Sequence, residues 1–155
     1  MKYSDNLFTT LEFDKIKALL SECAMTEGAS AMALALEPTD DPVVIVRRQR
    51  RTTDALRLAN AKGMPSIPNV RDVGASCERA DKGAVLSMRE LLDVAGVLRA
   101  SRMLIDYLNG NKLFDTSLDE IFDRLIPDRR LEERIFRSII SEEMMADEAS
   151  PALAE

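Results

Sequence analysis

The sequence has 155 residues, a formal net charge of −6 and no histidine. Hydrophobic residues make up 46% of it and charged residues 31%, a balance typical of a globular chain and not of a disordered one. The lack of histidine excludes Ser-His-Asp and Cys-His catalysis, and every zinc site that needs a histidine ligand. No apolar run is long enough to cross a bilayer and no signal peptide opens the chain, so we expect a cytoplasmic protein with no membrane contact.

The negative charge is unevenly distributed along the chain. Residues 1–75 carry 10 Lys/Arg and 10 Asp/Glu, whereas residues 76–155 carry 11 and 17. An acidic protein is a poor non-specific binder of nucleic acid, because contacts with phosphates supply most of that affinity. Any contact with nucleic acid would therefore have to come from a local basic patch.

The first half of the chain predicts three helices. Thr9 or Thr10 is a candidate cap for the first helix, and an Ala-rich second helix runs to about Leu36, where Glu37-Pro38 ends it. Small residues on the second helix permit close helix approach, and the buried side of the first is expected to comprise Leu11, Ile16, Leu19, Leu20, and Cys23 or Ala24.

The third helix begins at Asp41-Pro42, an N-cap followed by proline at the first helical position, and runs to Gly63. Its Val-Val-Ile-Val run at 43–46 is also compatible with a short strand. A helix is favoured, because the sequence contains no second strand of matching pattern.

A proline-containing loop at 64–69 leads into the second half, where a short helix is predicted from about Arg71 to Ala80, followed by a turn at 81–83. A last helix begins after Asp128, and Ser117 with Glu120 has the capping-box spacing that predicts a helix before it. Cys23 and Cys77 both fall beside apolar neighbours on predicted helices, so we expect buried free thiols.

The longest predicted helix runs from Met88 to about Leu108. Ser87 and Glu90 form a capping box at its start, and Gly110 is expected to end it in the left-handed conformation. One apolar stripe follows at intervals of three or four residues, comprising Leu91, Val94, Ala95, Leu98, Ile105 and Leu108.

These elements predict an all-α protein, an irregular multi-helix bundle of about seven helices around this one long central helix. We expect residues 1–141 to form a single helical domain. Residues 142–155 are acidic and Ala-rich, and are expected to form a flexible tail.

The sharpest candidate site is a basic cluster that comprises Arg47, Arg48, Arg50 and Arg51. Guanidinium groups suit phosphate binding, which makes the cluster a candidate nucleic-acid contact. On a helix we expect these charges to fan around the axis, and the alternative is a solvated face whose arginine stems cover apolar neighbours.

No catalytic or metal constellation accompanies this cluster. Asp119 and Asp123 lie one helical turn apart, but no other ligand type converges on them in the sequence. Phosphate-binding glycine loops are absent, so we expect no nucleotide hydrolysis and no cofactor in this chain.

Four landmarks follow one another in an order that resembles the bacterial MutS-two proteins, the second MutS-like subfamily. They are Thr10-Leu11-Glu12-Phe13-Asp14-Lys15-Ile16; Glu37-Pro38; Arg71-Asp72-Val73 with the run from Arg79 to Ser87 that leads into Glu90-Leu91-Leu92; and Asp147-Glu148-Ala149-Ser150-Pro151-Ala152-Leu153-Ala154. Together they cover nearly the whole chain.

This resemblance implies an N-terminal fragment of the core and lever region, a helical segment that joins a clamp to an ATPase. Full-length members carry an ATPase, which uses ATP and Mg²⁺, and usually a C-terminal nuclease domain. They act on DNA in recombination and repair, or on collided ribosomes in ribosome quality control. The implied partners are the remaining domains of the same protein, DNA or a ribosome through the parent, and a second copy of the protein.

Two departures from the family pattern limit what the resemblance carries over. Gly74-Ala75-Ser76-Cys77 stands where relatives more often have a bulkier, basic helical stretch, and Arg50-Arg51 stand where relatives are often acidic. No functional residue is inherited from the family. The sequence therefore favours a non-catalytic structural and interaction module, with a nucleic-acid-binding module as the alternative.

Overall fold

A computed structural model describes residues 10–67, 70–110 and 114–149. Within these ranges the secondary structure is helical, and the β-pairing seen there is one antiparallel bridge between Ile139 and Met145. The prediction of an all-α protein is confirmed. The helices are α1 (Phe13–Glu22), α2 (Glu27–Leu34), α3 (Pro42–Lys62), α4 (Gly74–Asp81), α5 (Met88–Asn109), α6 (Asp119–Phe122), α7 (Arg129–Ser138) and a 3₁₀ turn (Asp147–Ala149).

The described residues divide into two compact units. The first unit holds the residues up to Met64 together with Thr116–Leu118, and the second holds those from Pro65 to Asp115 and from Asp119 onward. The single domain and the tail expected from the sequence stay predictions, as does the central position of the longest helix.

The pair α1 and α2 forms the start of the first unit. Thr26 caps α2 by accepting a hydrogen bond from the Ala29 amide, and the hydroxyls of Ser21 and Ser30 lie 2.6 Å apart between the two helices. Ala33 is the buried residue of α2. Small residues therefore allow the two helices to approach, as predicted.

The predicted start and buried side of α1 are wrong. The N-cap residue is Glu12, which has a left-handed backbone and makes no capping hydrogen bond with its side chain, and Thr9 lies outside the described residues. Of the residues expected to be buried, Ala24 is half-buried and the others are exposed, Ile16 and Leu19 by 58% each. Helical periodicity identifies an apolar side but does not supply the element that covers it.

The long helix α3 has the boundaries that the sequence predicts. The Asp41 carboxylate accepts hydrogen bonds from the amides of Val43 and Val44 at 2.8 and 3.3 Å, and Pro42 is the first helical residue. At the other end Gly63 has a φ of 79°, a conformation that favours glycine. The Val-Val-Ile-Val run is helical, so the strand alternative is wrong.

The longest helix, α5, packs against α7 in the second unit. Ser87 and Glu90 form the predicted capping box, and Ala95 is fully buried against Ile135 and Ile139. The flanking half-buried side chains belong to Met88, Leu91, Leu92 and Phe136. Of the predicted stripe, Ala95 and Leu108 are buried and the other members are half-buried.

Gly110 ends α5 for a different reason from the predicted one. Its φ is −63°, so it is not left-handed, but a Cβ atom at this position would lie 2.6 Å from the carbonyl oxygen of Asp106. Glycine is needed here because the chain leaves the helix close to its own last turn. The prediction of a left-handed stop is therefore wrong.

The segments after α5 contain one further correction. The helix predicted after Ser117 is a single turn, Asp119–Phe122, and Ser117 itself belongs to the first unit. The last helix is as predicted, since Asp128 accepts a hydrogen bond from the Leu131 amide at 2.9 Å. After α7 the chain turns back, and the Ala146 amide donates to the Ser138 carbonyl.

The predictions of burial were least accurate for apolar side chains and for the two thiols. Cys23 and Cys77 are both free and exposed, so the prediction of buried thiols is wrong. Val85 and Met32 are exposed by 94% and 77%. Along the described ranges, no helix is both long and apolar enough to span a membrane.

Candidate nucleic-acid interface

Among the helices that the structure describes, α3 is the most basic. It carries Arg47, Arg48, Arg50, Arg51, Arg57 and Lys62 against a single acidic residue, Asp54, which makes a net charge of six minus one, or +5. The whole sequence has a net charge of −6. This helix is therefore the kind of local positive patch that an acidic chain would need in order to contact phosphates.

The four clustered arginines lie on the side of α3 that also carries its two buried residues, Asp54 and Leu58. At about 100° per residue, their positions fall within an arc of about 160°, and the position that points elsewhere is that of Gln49. The charges therefore spread over nearly half of the helix circumference, and the expectation that they fan around the axis stays a prediction. Arg47 lies close to Arg50 and Arg51 because residues three and four apart return to the same face.

The arginines of this arc differ in how far their side chains are engaged. Arg47 and Arg48 are exposed, and Arg48 donates from Nη1 to the carbonyl oxygen of Glu37 at 3.1 Å. Arg50 is exposed with its Nε 3.9 Å from a carboxylate oxygen of Asp54, and Arg51 is half-buried. Arg47, Arg48 and Arg50 thus offer accessible charges, and Arg51 lies closer to the protein.

Asp54 is the buried anion beneath this basic side. Its Oδ2 accepts hydrogen bonds from the amide and the hydroxyl of Ser117, each at 2.8 Å, and its Oδ1 accepts from Arg57 at 3.2 Å. The Ser117 amide, then its hydroxyl, and then Arg57 lower the pKa of Asp54 below its ordinary value, although burial opposes this. The ionised Asp54 side chain thus connects α3 to residues 116–118 through its hydrogen bonds with Ser117.

A second buried carboxylate, Glu132, lies in the other unit. Its two oxygens accept from the Nε atoms of Arg99 and Arg102 at 3.2 and 2.9 Å, and Arg102 adds a third bond at 2.8 Å. The hydrogen bonds from Arg102, followed by those from Arg99, lower the pKa of Glu132 despite its burial. The guanidinium of Arg99 also lies 3.9 Å from the centre of the Phe136 ring.

Neither buried carboxylate was singled out from the sequence. Glu132 lies on the same helix face as Ile135 and Ile139, and an acidic residue within an apolar stripe was a signal that could have identified it. Asp54 had no comparable signal, because its partner Ser117 is 63 residues away.

The chemistry of these groups is electrostatic. Both buried carboxylates are saturated with hydrogen bonds from arginine or serine, which leaves them poorly suited as ligands or bases. Among the described residues, no group of three or more Cys, Asp or Glu side chains converges as a metal site would require. The basic side of α3 is the candidate site that remains, as a contact for phosphates.

Comparison with known proteins gives a consistent set of relatives, although no family model matches the chain. The chain is 36% identical over 147 residues to a protein named Endonuclease MutS2 from Acetivibrio thermocellus, and 37% identical over 147 residues to one of the same name from Ruminiclostridium cellulolyticum. A third relative of this name, from Clostridium perfringens, is 34% identical over 152 residues.

These matches cover 93%, 93% and 97% of this chain, but only 18%, 18% and 19% of the respective relatives. The chain therefore spans about a fifth of the length of the curated relatives it matches. Similarity of this level along nearly the whole sequence makes the chain a homologue of one segment of MutS2-like proteins.

Proposed function

We propose that this chain is the N-terminal structural and interaction module of a MutS2-like ATPase that acts on DNA in recombination or repair, or on collided ribosomes. The observation that carries the proposal is the similarity to proteins named Endonuclease MutS2 along nearly the whole chain. By resemblance, ATP and Mg²⁺ bind to other segments of the parent protein. The module itself is non-catalytic and transmits motion between the ATPase and the nucleic-acid contacts.

The exposed apolar side chains of the first unit support an interaction role. Large contiguous apolar surfaces on a folded protein mark sites that bind other protein surfaces. On α1, α2 and the residues beside them, the side chains that are at least 47% exposed are Leu11, Ile16, Leu19, Leu20, Met25, Met32 and Leu34. We assign the remaining domains of the same parent protein as the partner of this surface.

A segment exchange tests the proposal. The matching segment of the Acetivibrio thermocellus relative is replaced by this chain, and a second variant lacks the segment altogether. We expect the exchanged protein to retain ATP hydrolysis that responds to DNA, and the shortened protein to lose the response. This chain alone should hydrolyse no ATP. The proposal is wrong if the shortened protein responds to DNA as fully as the intact relative.

The alternative function, nucleic-acid binding through Arg47, Arg48, Arg50 and Arg51, is supported by the net charge of α3 and by the exposure of Arg47, Arg48 and Arg50. Fluorescence anisotropy with labelled duplex and branched DNA at low and moderate salt tests it. Arg47→Glu is the informative variant, because Arg47 is exposed. Gln49→Glu is the control at a position outside the arc, and it lowers the charge of α3 by one, against two for Arg47→Glu.

We expect Arg47→Glu to weaken binding and to reduce its dependence on salt, whereas Gln49→Glu has a smaller effect. An effect of Gln49→Glu on log affinity that is half that of Arg47→Glu, or larger, would reflect net charge alone and contradict a specific role of Arg47. Binding that is undetectable at low salt would contradict the alternative and leave α3 as a solvated helix.

A further inference from the structure

The exposed side of α7 carries three arginines in a single row. Arg130, Arg134 and Arg137 are all exposed, and at about 100° per residue they share a stripe about 60° wide. The buried residues of this helix, Glu132 and Ile135, lie on roughly the opposite side. The three arginines, here called the α7 stripe, therefore point away from the unit to which α7 belongs.

The acidic residues of α7 do not neutralise this stripe. Glu132 is buried and bound by Arg99 and Arg102, and Glu133 forms an ion pair with Arg129 at 2.7 Å. In the ranges that the structure describes, no carboxylate lies within ion-pair distance of the α7 stripe. The three charges are thus available to a ligand.

The arginines of the α7 stripe do not occupy positions that would stabilise the helix by themselves. Arg130 and Arg134 are four residues apart, a spacing at which like charges repel. Arg130 is also the second residue of α7, where the helix dipole disfavours a cation. A polyanion bound along the stripe would relieve both effects.

We propose that the α7 stripe binds the phosphate backbone of nucleic acid, at a site distinct from the basic side of α3. From Arg130 to Arg137 the helix rises about 10.5 Å, which matches the axial rise of about three phosphates along one strand. Guanidinium groups donate to phosphate oxygens in a bidentate manner, which suits arginine to this role.

The choice of nucleic acid among polyanions rests on the proposed function, since the relatives that the chain resembles are named as endonucleases. The site itself is derived from α7 alone. Its test is therefore designed so that loss of the α7 site, loss of the α3 site and loss of all nucleic-acid binding give different results.

The experiment uses the complete chain and a fluorescein-labelled 30-base-pair duplex DNA, with anisotropy measured at 50 and 200 mM salt. The test variant is Arg130→Gln with Arg134→Gln. The matched control is Lys82→Gln with Arg124→Gln, which removes two positive charges from exposed positions in the same unit. Arg47→Glu reports on α3 in parallel, and fluorescein-labelled poly-L-glutamate reports on binding of an acidic polypeptide.

Loss of two phosphate contacts should reduce the slope of log affinity against log salt concentration by about 1.8. The affinity advantage of the unaltered chain over the test variant should therefore shrink by about ten-fold between 50 and 200 mM salt. The control variant should keep the original slope. The melting temperature of the test variant should stay the same or rise, since repulsion along α7 is removed; a purely structural role would lower it.

Four results would overturn the proposal. They are an unchanged slope in the test variant, the same loss in the control variant, a lowered melting temperature that accounts for the loss, and tighter binding of poly-L-glutamate than of DNA through the same arginines. A loss confined to Arg47→Glu would support the α3 site and reject the α7 site. No DNA binding at 50 mM salt would reject both sites.

Discussion

At the scale of single residues, two acidic side chains are secured by their neighbours. Glu132 is only 3% exposed and accepts hydrogen bonds from two arginines on α5, and Asp54 is 4% exposed and binds Ser117. Buried charges are tolerated in proteins only when they are paired and hydrogen-bonded. Each of these residues therefore joins segments that are distant in the sequence.

Replacement of Glu132 by glutamine should lower the free energy of unfolding by about 1.5–3 kcal/mol, the range for hydrogen bonds to charged groups. Glutamine keeps the size of the side chain but loses the charge that Arg99 and Arg102 bind. Urea denaturation measures the effect. Glu133→Gln is the control, since Glu133 is exposed and should change the free energy by less than about 0.5 kcal/mol. Equal effects of the two variants would contradict the assigned role of Glu132.

The capping carboxylate Glu90 should make stability depend on acid. Hydrogen bonds from the Ser87 amide, Ser76 and the Ser87 hydroxyl, together with Arg79, lower its pKa from 4.5 to about 2. Since the folded pKa lies below the unfolded one, the ionised group contributes stability above about pH 4.5, and this is lost as the pH falls from 4.5 towards 2.

Glu90→Gln tests this pH dependence, because glutamine retains the capping geometry but cannot ionise. The urea midpoint of the unaltered chain should exceed that of the variant at pH 7, and the difference should shrink below pH 4.5 and disappear near pH 2. A difference that is constant from pH 7 to pH 2 would show that the charge of Glu90 contributes nothing.

At the scale of elements, α5 begins with a local signal that can be tested separately from its packing. Ser87→Ala removes the acceptor for the Glu90 amide and should lower the free energy of unfolding by about 1 kcal/mol. Ser101→Ala is the control on the same helix. The Ser101 hydroxyl donates to the Val97 carbonyl, an interaction that adds little to a helix already bonded at that carbonyl. Thermal and urea denaturation should separate the two variants.

At the scale of the whole molecule, the apolar surface of the first unit should contribute to association and little to stability. Leu19→Gln with Met32→Gln replaces side chains that are 58% and 77% exposed, so unfolding by urea should change little. Binding of a hydrophobic dye, and association with the remaining part of a MutS2-like parent, should decrease. Ala33→Gln is the contrasting control, because Ala33 is buried and a larger side chain there should destabilise by about 1–3 kcal/mol.

The boundaries of the helices could be predicted from local sequence, because capping and termination act within one turn. Asp41-Pro42 begins α3, Ser87 with Glu90 begins α5 and Asp128 begins α7, each through hydrogen bonds that span two or three residues. Ser117 shows the limit of this reasoning. It has the spacing of a capping residue, yet it binds Asp54, 63 residues away.

The candidate site was predictable in its residues but not in its geometry. The arginine cluster of α3 is evident in the sequence, but the distance of Arg50 from Asp54 and the partial burial of Arg51 depend on how the chain packs. The α7 stripe was not singled out from the sequence. It becomes distinct only because Glu132 is buried and Glu133 is paired, which separates three arginines from the acidic residues between them.

The sequence by itself determined the helical class, most helix ends and the position of the basic helix, since propensity, capping and proline act locally. The tertiary structure alone decided which apolar faces are covered and which charges are paired. Ile16 and Ala95 both lie on apolar stripes, but Ala95 is fully buried and Ile16 is 58% exposed. Burial depends on a second element that packs on the first, and a pattern within one helix carries no information about that partner.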